Sequence, residues 1–81
     1  MKKTRAKRSK NISGVRIAAI RKQKGMTQAE LAEKVQTLGV NLDRAAIAKI
    51  ENGLRCVLDY EIQAIASTLR VSVATILVRR D

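Results

Sequence analysis

The segment from Gly25 to Gly53 constrains the fold of this chain most strongly. Gly39 divides it into two stretches, each with the apolar spacing of a short helix. In the first stretch Thr27 is followed three residues later by Glu30, a pair that typically caps the N-terminus of a helix. In the second stretch, Asp43 is well placed to cap the N-terminus of the helix. The segment therefore predicts two short helices joined by a glycine-containing turn.

Helical periodicity extends over the rest of the chain. A first helix is predicted from Ser13 to Gly25, with its apolar side formed by Val15, Ile17, Ala18 and Ile20 and its basic residues Arg16, Arg21, Lys22 and Lys24 largely elsewhere. The second helix, capped by Thr27, is predicted to end at Thr37 or Leu38, with apolar positions Ala29, Leu31, Ala32, Val35 and Leu38. The third, from Asp43 to Gly53, has an inward stripe of Ala46, Ile47 and Ile50.

Two further helices are predicted beyond a loop at residues 54–58. Asp59 is expected to cap the fourth, whose apolar residues Ile62, Ile65, Ala66 and Leu69 recur at helical spacing. Ser72 is expected to cap a last short helix that contains Val73, Ile76 and Leu77. No segment shows the sustained alternation of apolar and polar residues that is typical of a strand. We therefore predict an all-α fold, a compact bundle of five short helices.

Composition limits the classes of protein to which the chain can belong. Its 81 residues suffice for one small domain, and 46% of them are hydrophobic, although Tyr60 is the only aromatic residue. Cys56 is the only cysteine, so no internal disulfide is expected. No apolar run approaches the roughly 18–20 residues that span a bilayer. These features predict a cytoplasmic protein without a membrane partner.

The charge of the chain is strongly basic and unevenly distributed. Seventeen Lys and Arg against seven Asp and Glu give a net charge of +10. Six basic residues lie near the N-terminus: Lys2, Lys3, Arg5, Lys7, Arg8 and Lys10. We therefore divide the chain into a basic arm, residues 1–12, and a domain, residues 13–81. Such an arm attracts polyanions through counterion release, which favours an arm that follows DNA. A solubilising terminus, RNA and an anionic membrane surface stay open as alternatives.

Catalysis is not predicted. The chain has no histidine, the usual proton shuttle, and Cys56 has no second catalytic residue at a suggestive spacing. No cluster of metal ligands occurs, and the four glycines are too scattered for a phosphate-binding loop. We therefore expect no enzymatic activity, no metal, no cofactor and no small-molecule ligand.

The order of several short motifs resembles the lambda-repressor and Cro-like helix-turn-helix family, also called the xenobiotic-response-element family. The matching residues are Ile17, Ile20, Arg21 and Gly25, then Thr27-Gln28 and Leu31-Ala32, then Ile47 and Ile50-Glu51-Asn52-Gly53, and finally Ile65-Ala66, Leu69 and Val71-Ser72. Each motif alone is weakly specific, whereas the ordered set, over about residues 14–77, is specific. The resemblance implies a lambda-repressor-like bundle with a DNA-binding helix-turn-helix.

The resemblance also implies which residues meet DNA. Base contacts are expected from the outward face of the third helix, from Arg44, Ala45, Ala48 and Lys49. Phosphate contacts are expected from Thr27 and Gln28 at the start of the second helix, and from Asn52 and Arg55 beyond the third. A structural ion pair is expected between Arg21 and Glu51. For Arg44 and Lys49, a solvated helix face or contact with phosphate alone stays open.

The chain departs from the family pattern in three ways. Fifteen positions separate Ala32 from Ile47, about five more than the family usually has, which predicts a second helix about one turn longer and a longer connection. Arg70 stands where the family usually has a helix-ending glycine, a costly choice if the backbone there is left-handed. The outward face of the third helix is rich in alanine, which favours reading of DNA shape over base contacts.

These features favour a sequence-specific, double-stranded-DNA-binding transcriptional regulator that inserts helix 43–52 into the major groove. A homodimer through Ile76, Leu77 and Val78 is possible, although these residues are equally able to seal the monomer core. One alternative is an antitoxin-like or adaptor protein on the same fold, with DNA binding secondary. Another is nonspecific nucleic-acid binding by the arm; the near-absence of aromatic residues argues against recognition of single strands.

Overall fold

A computed structural model describes residues 12–77, and these form five α-helices with no strand among them. The helices are α1 (Ile12–Gln23), α2 (Gln28–Thr37), α3 (Arg44–Glu51), α4 (Asp59–Leu69) and α5 (Val73–Leu77). The all-α prediction is therefore confirmed. The six basic residues of the arm, and Val78, lie outside the described residues.

The core lies where the five helices meet, and every helix contributes to it. Its fully enclosed side chains are Ile17, Leu31, Val35, Leu42, Ile47, Ile50, Ile65, Leu69 and Ile76. All are aliphatic, so a core with no aromatic ring is filled by branched chains from each helix in turn. No helix among residues 12–77 is long and apolar enough to cross a membrane.

The buried stripe of helix α1 overlaps the predicted one only in part, since Ile17 is buried and Ile20 packs against the core. Its buried residues are Gly14, Ile17 and Arg21, whereas Val15, predicted on the apolar side, is 54% exposed. Positions 14, 17 and 21 recur at helical spacing, so they share one face. Arg21 was not placed on the apolar side of this helix, and it is buried because the carboxylate of Glu51, its expected ion-pair partner on α3, lies opposite it.

Helix α2 begins with the predicted capping box. The Thr27 hydroxyl oxygen accepts a hydrogen bond from the Glu30 N–H at 3.0 Å, and the Thr27 N–H donates to the Glu30 carboxylate at 2.8 Å. Ala29 and Leu38, both predicted on the apolar side, are exposed instead. Leu38 has left the helical face because it is the C-cap, and Gly39 follows with φ of +86°.

The connection between α2 and α3 is part of the core. Leu42, predicted only as a loop residue, has no exposed surface. Its carbonyl oxygen accepts a hydrogen bond from the Gln36 side-chain amide at 2.9 Å. Asp43 then caps α3 as predicted, its carboxylate accepting from the Ala46 N–H at 2.8 Å. The last two residues of the connection are therefore fixed just before α3 begins.

The start of α4 differs from the prediction. Asp59 is the first helical residue, and the N-cap is Leu58, whose extended backbone leaves its N–H free to donate to the Glu61 carboxylate at 2.9 Å. The cap is thus supplied from inside the first turn, so Asp59 is not needed for it. At the other end Arg70 has φ of +61°, the left-handed conformation that the family fills with glycine. Ser72 caps α5, accepting from the Thr75 N–H at 3.2 Å.

Candidate nucleic-acid interface

The outward face of α3 carries side chains that the fold does not use for packing. Arg44, Ala45 and Lys49 are exposed, while Ile47 and Ile50 on the opposite face are buried. Neither Arg44 nor Lys49 forms an ion pair with another residue of the described range. Ala48 is half-buried, so its methyl group is less available than that of Ala45. Two free cations and one exposed methyl group therefore lie on this face.

A buried ion pair fixes the C-terminal end of α3. The Arg21 guanidinium binds the Glu51 carboxylate through two hydrogen bonds, from Nε to Oε2 at 2.7 Å and from Nη2 to Oε1 at 3.0 Å. The two side chains are only 9% and 5% exposed. Hydrogen bonding to Glu51 raises the pKa of Arg21, so the guanidinium stays charged. A pair this enclosed and bidentate joins α1 to the last residue of α3 and leaves α3 little freedom to rotate.

Gln28 extends this pair to the second helix. Its side-chain amide donates to Oε1 of Glu51 at 2.9 Å, and Arg21 also donates from Nη1 to the Met26 carbonyl oxygen at 2.7 Å. Arg21 of α1 and Gln28, the first residue of α2, therefore both bind the carboxylate of Glu51 at the end of α3. Because the Gln28 nitrogen carries two hydrogens, one remains for a ligand beside the free N–H groups of the α2 terminus.

The structure brings the start of α2 and the start of α3 into one concavity. Thr27, Gln28 and Arg44 line it together with Lys22, whose side chain is exposed at the end of α1. The positive end of a helix dipole and two cations therefore converge there, which suits a phosphate group. Lys22 belongs to none of the sequence motifs and was not among the residues predicted to contact DNA. The signal was its position beside Arg21, three residues before the Gly25 turn that leads to Thr27.

Arg55, expected to contact phosphate, is already engaged within the protein. Its Nη1 and Nη2 atoms each donate to the Glu61 carboxylate at 2.8 Å, and Nη1 also donates to the Cys56 carbonyl oxygen. The Arg55 hydrogen bond, aided by the Leu58 N–H, lowers the pKa of Glu61, whose side chain is 3% exposed. Arg55 therefore ties the loop that follows α3 to the first turn of α4.

Glu61 is a structural residue that sequence reasoning missed, although it is the third residue after Leu58 and the sixth after Arg55. Asn52 lies between these two anchored regions. It is exposed and is the C-cap of α3, with its backbone N–H donating to the Ala48 carbonyl oxygen at 3.0 Å. Its side chain is therefore available beside the end of α3.

Two of the three residues considered for a dimer contact lie in the described range, and they differ in burial. Ile76 has no exposed surface and belongs to the monomer core, so it cannot contact a second copy in this conformation. Leu77 is 46% exposed. Val78 lies outside the described residues. The sequence left two roles open for this segment, a dimer contact or sealing of the monomer core, and Ile76 seals the core.

Comparison with known proteins places this geometry in a family. The family model described as helix-turn-helix matches residues 17–76, well over half of the chain, from the first core residue of α1 to the last of α5. No curated protein and no solved structure matched the chain. The matched range contains the Arg21–Glu51 pair, both helices of the turn unit and the outward face of α3. The chain therefore belongs to the lambda-repressor-like helix-turn-helix family of DNA-binding domains.

Proposed function

We propose that this protein is a sequence-specific, double-stranded-DNA-binding transcriptional regulator that inserts helix 43–52 into the major groove. The observation that carries the proposal is the contrast between the two ends of α3. Its last residue, Glu51, is anchored by Arg21 and Gln28, whereas Arg44 near its start is exposed and unpaired among the described residues. A helix held rigidly at one end and free along its outer face suits insertion into a groove.

The outer face of α3 offers two kinds of base contact. Arg44 and Lys49 are able to donate to O6 and N7 of guanine, and the Ala45 methyl group is able to pack against the methyl group of thymine. Ala48, being half-buried, contributes less. Because alanine has no hydrogen-bonding side chain, base readout is sparse and the shape of the DNA contributes to specificity.

Phosphate contacts on either side hold the helix in register. Thr27 and Gln28 present the N-terminus of α2 to one phosphate, with Lys22 beside them. Asn52, at the other end of α3, contacts a second phosphate. Arg55 acts indirectly, by holding the loop after α3 to Glu61. In a homodimer, two copies of α3 enter successive major-groove faces about 34 Å apart, and Leu77 is the exposed residue of the predicted contact.

Selection from random duplex DNA tests the proposal. The full chain is expected to enrich one motif, and Arg44→Ala and Lys49→Ala are each expected to relax preference at particular base pairs, by about 1–3 kcal/mol per lost contact. Lys34→Ala is the matched control, since Lys34 is exposed on α2 and lies in neither the α3 face nor the Gln28 concavity.

Three results are distinguishable in that selection. A motif altered by Arg44→Ala or Lys49→Ala but not by Lys34→Ala supports reading by α3. A motif that neither α3 substitution alters shows that these are not the reading residues. Failure to enrich any motif, with binding retained, means that recognition is nonspecific.

A further inference from the structure

A second concavity lies where three helices end. Helices α1, α2 and α4 end near one another around a cavity of about 440 Å³ that is open to solvent. Three basic residues, Lys24, Lys34 and Arg70, line it together with the apolar Met26, Leu38 and Leu69. No residue of α3 lines it, and neither do Thr27 and Gln28. The cavity is therefore separate from the proposed DNA-binding surface.

Two of the departures from the family pattern meet in this cavity. The last residue of α2, Thr37, and its C-cap Leu38 form part of the wall, in the region where the sequence predicts a longer second helix. Arg70 stands at the end of α4, where the sequence pattern of the family usually has glycine. Arg70 has φ of +61°, a conformation that glycine, and less often Asn or Asp, adopts readily but that is unfavourable for arginine. Leu38 is 52% exposed. Neither residue is explained by the stability of the domain, because glycine at position 70 relieves the strain and Leu38 packs little.

The charges of the cavity are unbalanced. Lys24, Lys34 and Arg70 are exposed, and none forms an ion pair with another described residue. No Asp or Glu lines the cavity. Its chemistry therefore combines a basic rim with aliphatic surface contributed mainly by Met26 and Leu38, and it is complementary to a ligand that is both acidic and apolar.

The helix ends decide between protein and nucleic acid as the ligand. The C-terminus of each helix carries partial negative charge and carbonyl groups that accept hydrogen bonds. The carbonyl groups that are not already bonded accept N–H donors of a peptide backbone, whereas the backbone of DNA has no N–H group to donate. DNA phosphates also offer nothing apolar to cover Leu38.

We propose that this cavity binds a short segment of a partner protein in which aliphatic side chains alternate with Asp or Glu. The aliphatic side chains cover Leu38 and Met26, and the carboxylates pair with Lys34, Lys24 and Arg70. The cavity shares Met26 with the concavity at the start of α2, but it contains none of the residues proposed to contact bases or phosphates. Partner and DNA therefore bind the same molecule together. This inference does not depend on which DNA sequence, if any, the α3 face reads.

The probe is a synthetic peptide in which Leu alternates with Asp and Glu, labelled for fluorescence anisotropy. A second peptide of equal charge, with Ser in place of Leu, controls for attraction to the basic arm. Amide chemical shifts of the full-length protein locate the bound peptide. We expect shifts at Lys24, Lys34, Leu38 and residues 67–70, and we expect the Ser peptide to bind about tenfold more weakly or worse, since it loses apolar burial.

Variants separate this site from the DNA-binding face. Lys34→Gln is expected to weaken binding of the Leu peptide about threefold to tenfold and to leave DNA binding unchanged. Lys49→Gln is expected to weaken DNA binding and to leave binding of the Leu peptide unchanged. Arg70→Gly is expected to raise the melting temperature, because it relieves the left-handed strain, and yet to weaken peptide binding. A purely structural Arg70 would not give that opposed pair of results.

Three outcomes overturn the proposal. Equal binding of the Ser and Leu peptides means that attraction is electrostatic only. Peptide-induced shifts confined to α3 or to residues 1–11 place the peptide elsewhere. Shifts at Lys34 and Arg70 caused by duplex DNA, and lost in Lys34→Gln, assign the cavity to nucleic acid instead. Loss of motif selection by α3, with the peptide results retained, leaves this inference standing and removes only the proposed function.

Discussion

At the scale of single residues, nearby carboxylates decide what each arginine does. Arg21 faces Glu51 and is 7% exposed, Arg55 faces Glu61, and Arg44 has no acidic partner among residues 12–77. A paired guanidinium has its donors satisfied and becomes a structural link, while an unpaired one keeps five donors for a ligand. The three arginines are alike in the sequence but play two different roles.

The Arg55–Glu61 pair makes stability depend on pH. The Arg55 hydrogen bond holds the pKa of Glu61 below its ordinary value of about 4.3. The unfolded chain therefore binds more protons in this range, so the stabilisation is complete above about pH 4.3 and is lost as the pH falls through the folded-state pKa. Glu61→Gln should lower the free energy of unfolding at pH 7 by about 1–2 kcal/mol, less than for a fully buried pair because Arg55 is partly exposed.

Denaturant unfolding of both proteins between pH 2 and 7 measures this difference, at roughly unit intervals of pH. The curves for wild type and Glu61→Gln should converge in acid and separate at neutral pH. Glu33→Gln is the control, because Glu33 is exposed and makes no side-chain hydrogen bond within the described range. A constant gap at every pH would show that the carboxylate charge of Glu61 contributes nothing.

At the scale of elements, the connection between α2 and α3 behaves as part of the core rather than as a loop. Leu42 is fully buried, and the Gln36 amide binds its carbonyl oxygen. The extra residues thus reach the core through one side chain, which sets where α3 begins. The length of this connection therefore does not loosen α3.

Leu42→Ala should lower the free energy of unfolding by about 2–4 kcal/mol, since it leaves a cavity in a closed core. Leu38→Ala should change it by less than about 0.5 kcal/mol, because Leu38 is 52% exposed. The two substitutions are chemically identical and lie four residues apart, so thermal unfolding compares burial alone. Equal losses for the two variants would contradict the assignment of Leu42 to the core.

The ion pair of α1 and α3 supports a second prediction at this scale. Glu51→Ala leaves Arg21 enclosed without its carboxylate and should lower the free energy of unfolding by about 3 kcal/mol, with a fall in melting temperature of about 10–20 °C. Replacing both Arg21 and Glu51 by Met should recover much of this loss, since no charge is then left unpaired. An unchanged melting temperature for Glu51→Ala would argue against a structural role for the pair.

At the scale of the whole molecule, positive charge is concentrated near the N-terminus, outside residues 12–77. Residues 12–77 carry nine basic and six acidic side chains, whereas residues 2–10 carry six basic side chains and no acidic one. Of the nine, Arg21 and Arg55 are paired with carboxylates. The domain is therefore only mildly basic, and much of the attraction for a polyanion belongs to the arm.

Removal of residues 2–10 should separate affinity from specificity. Loss of six cations should weaken DNA binding and reduce the slope of log K against log salt concentration by up to about 5. The enriched motif should stay the same, because the residues proposed to contact its bases lie on α3. A chain in which the six residues are replaced by Gln controls for length. Disappearance of all binding would favour a nonspecific protein driven by its arm.

The sequence by itself determined the helices and most of their ends. Its signals are local: Thr27 with Glu30, Asp43 and Ser72 as caps, and glycines at 25, 39 and 53 that adopt positive φ. Each of these caps and turns depends on backbone groups within a few residues, so the local sequence is enough to predict where a helix begins or ends. The ordered motifs also identified the family, and the left-handed backbone at Arg70 followed from the position that the family gives to glycine.

Only the tertiary structure decided how most of the other charged and apolar side chains are used. The pair of Arg21 and Glu51 was implied by the family resemblance, but Arg55 and Lys22 differ little in the sequence, and the carboxylate that pairs with Arg55 lies on another element. The burial of Leu42 and Ile76 and the exposure of Val15 and Leu38 depend in the same way on neighbours that are distant along the chain. Periodicity defines a face of a helix, but packing among five helices decides which face has a partner and which is left for a ligand.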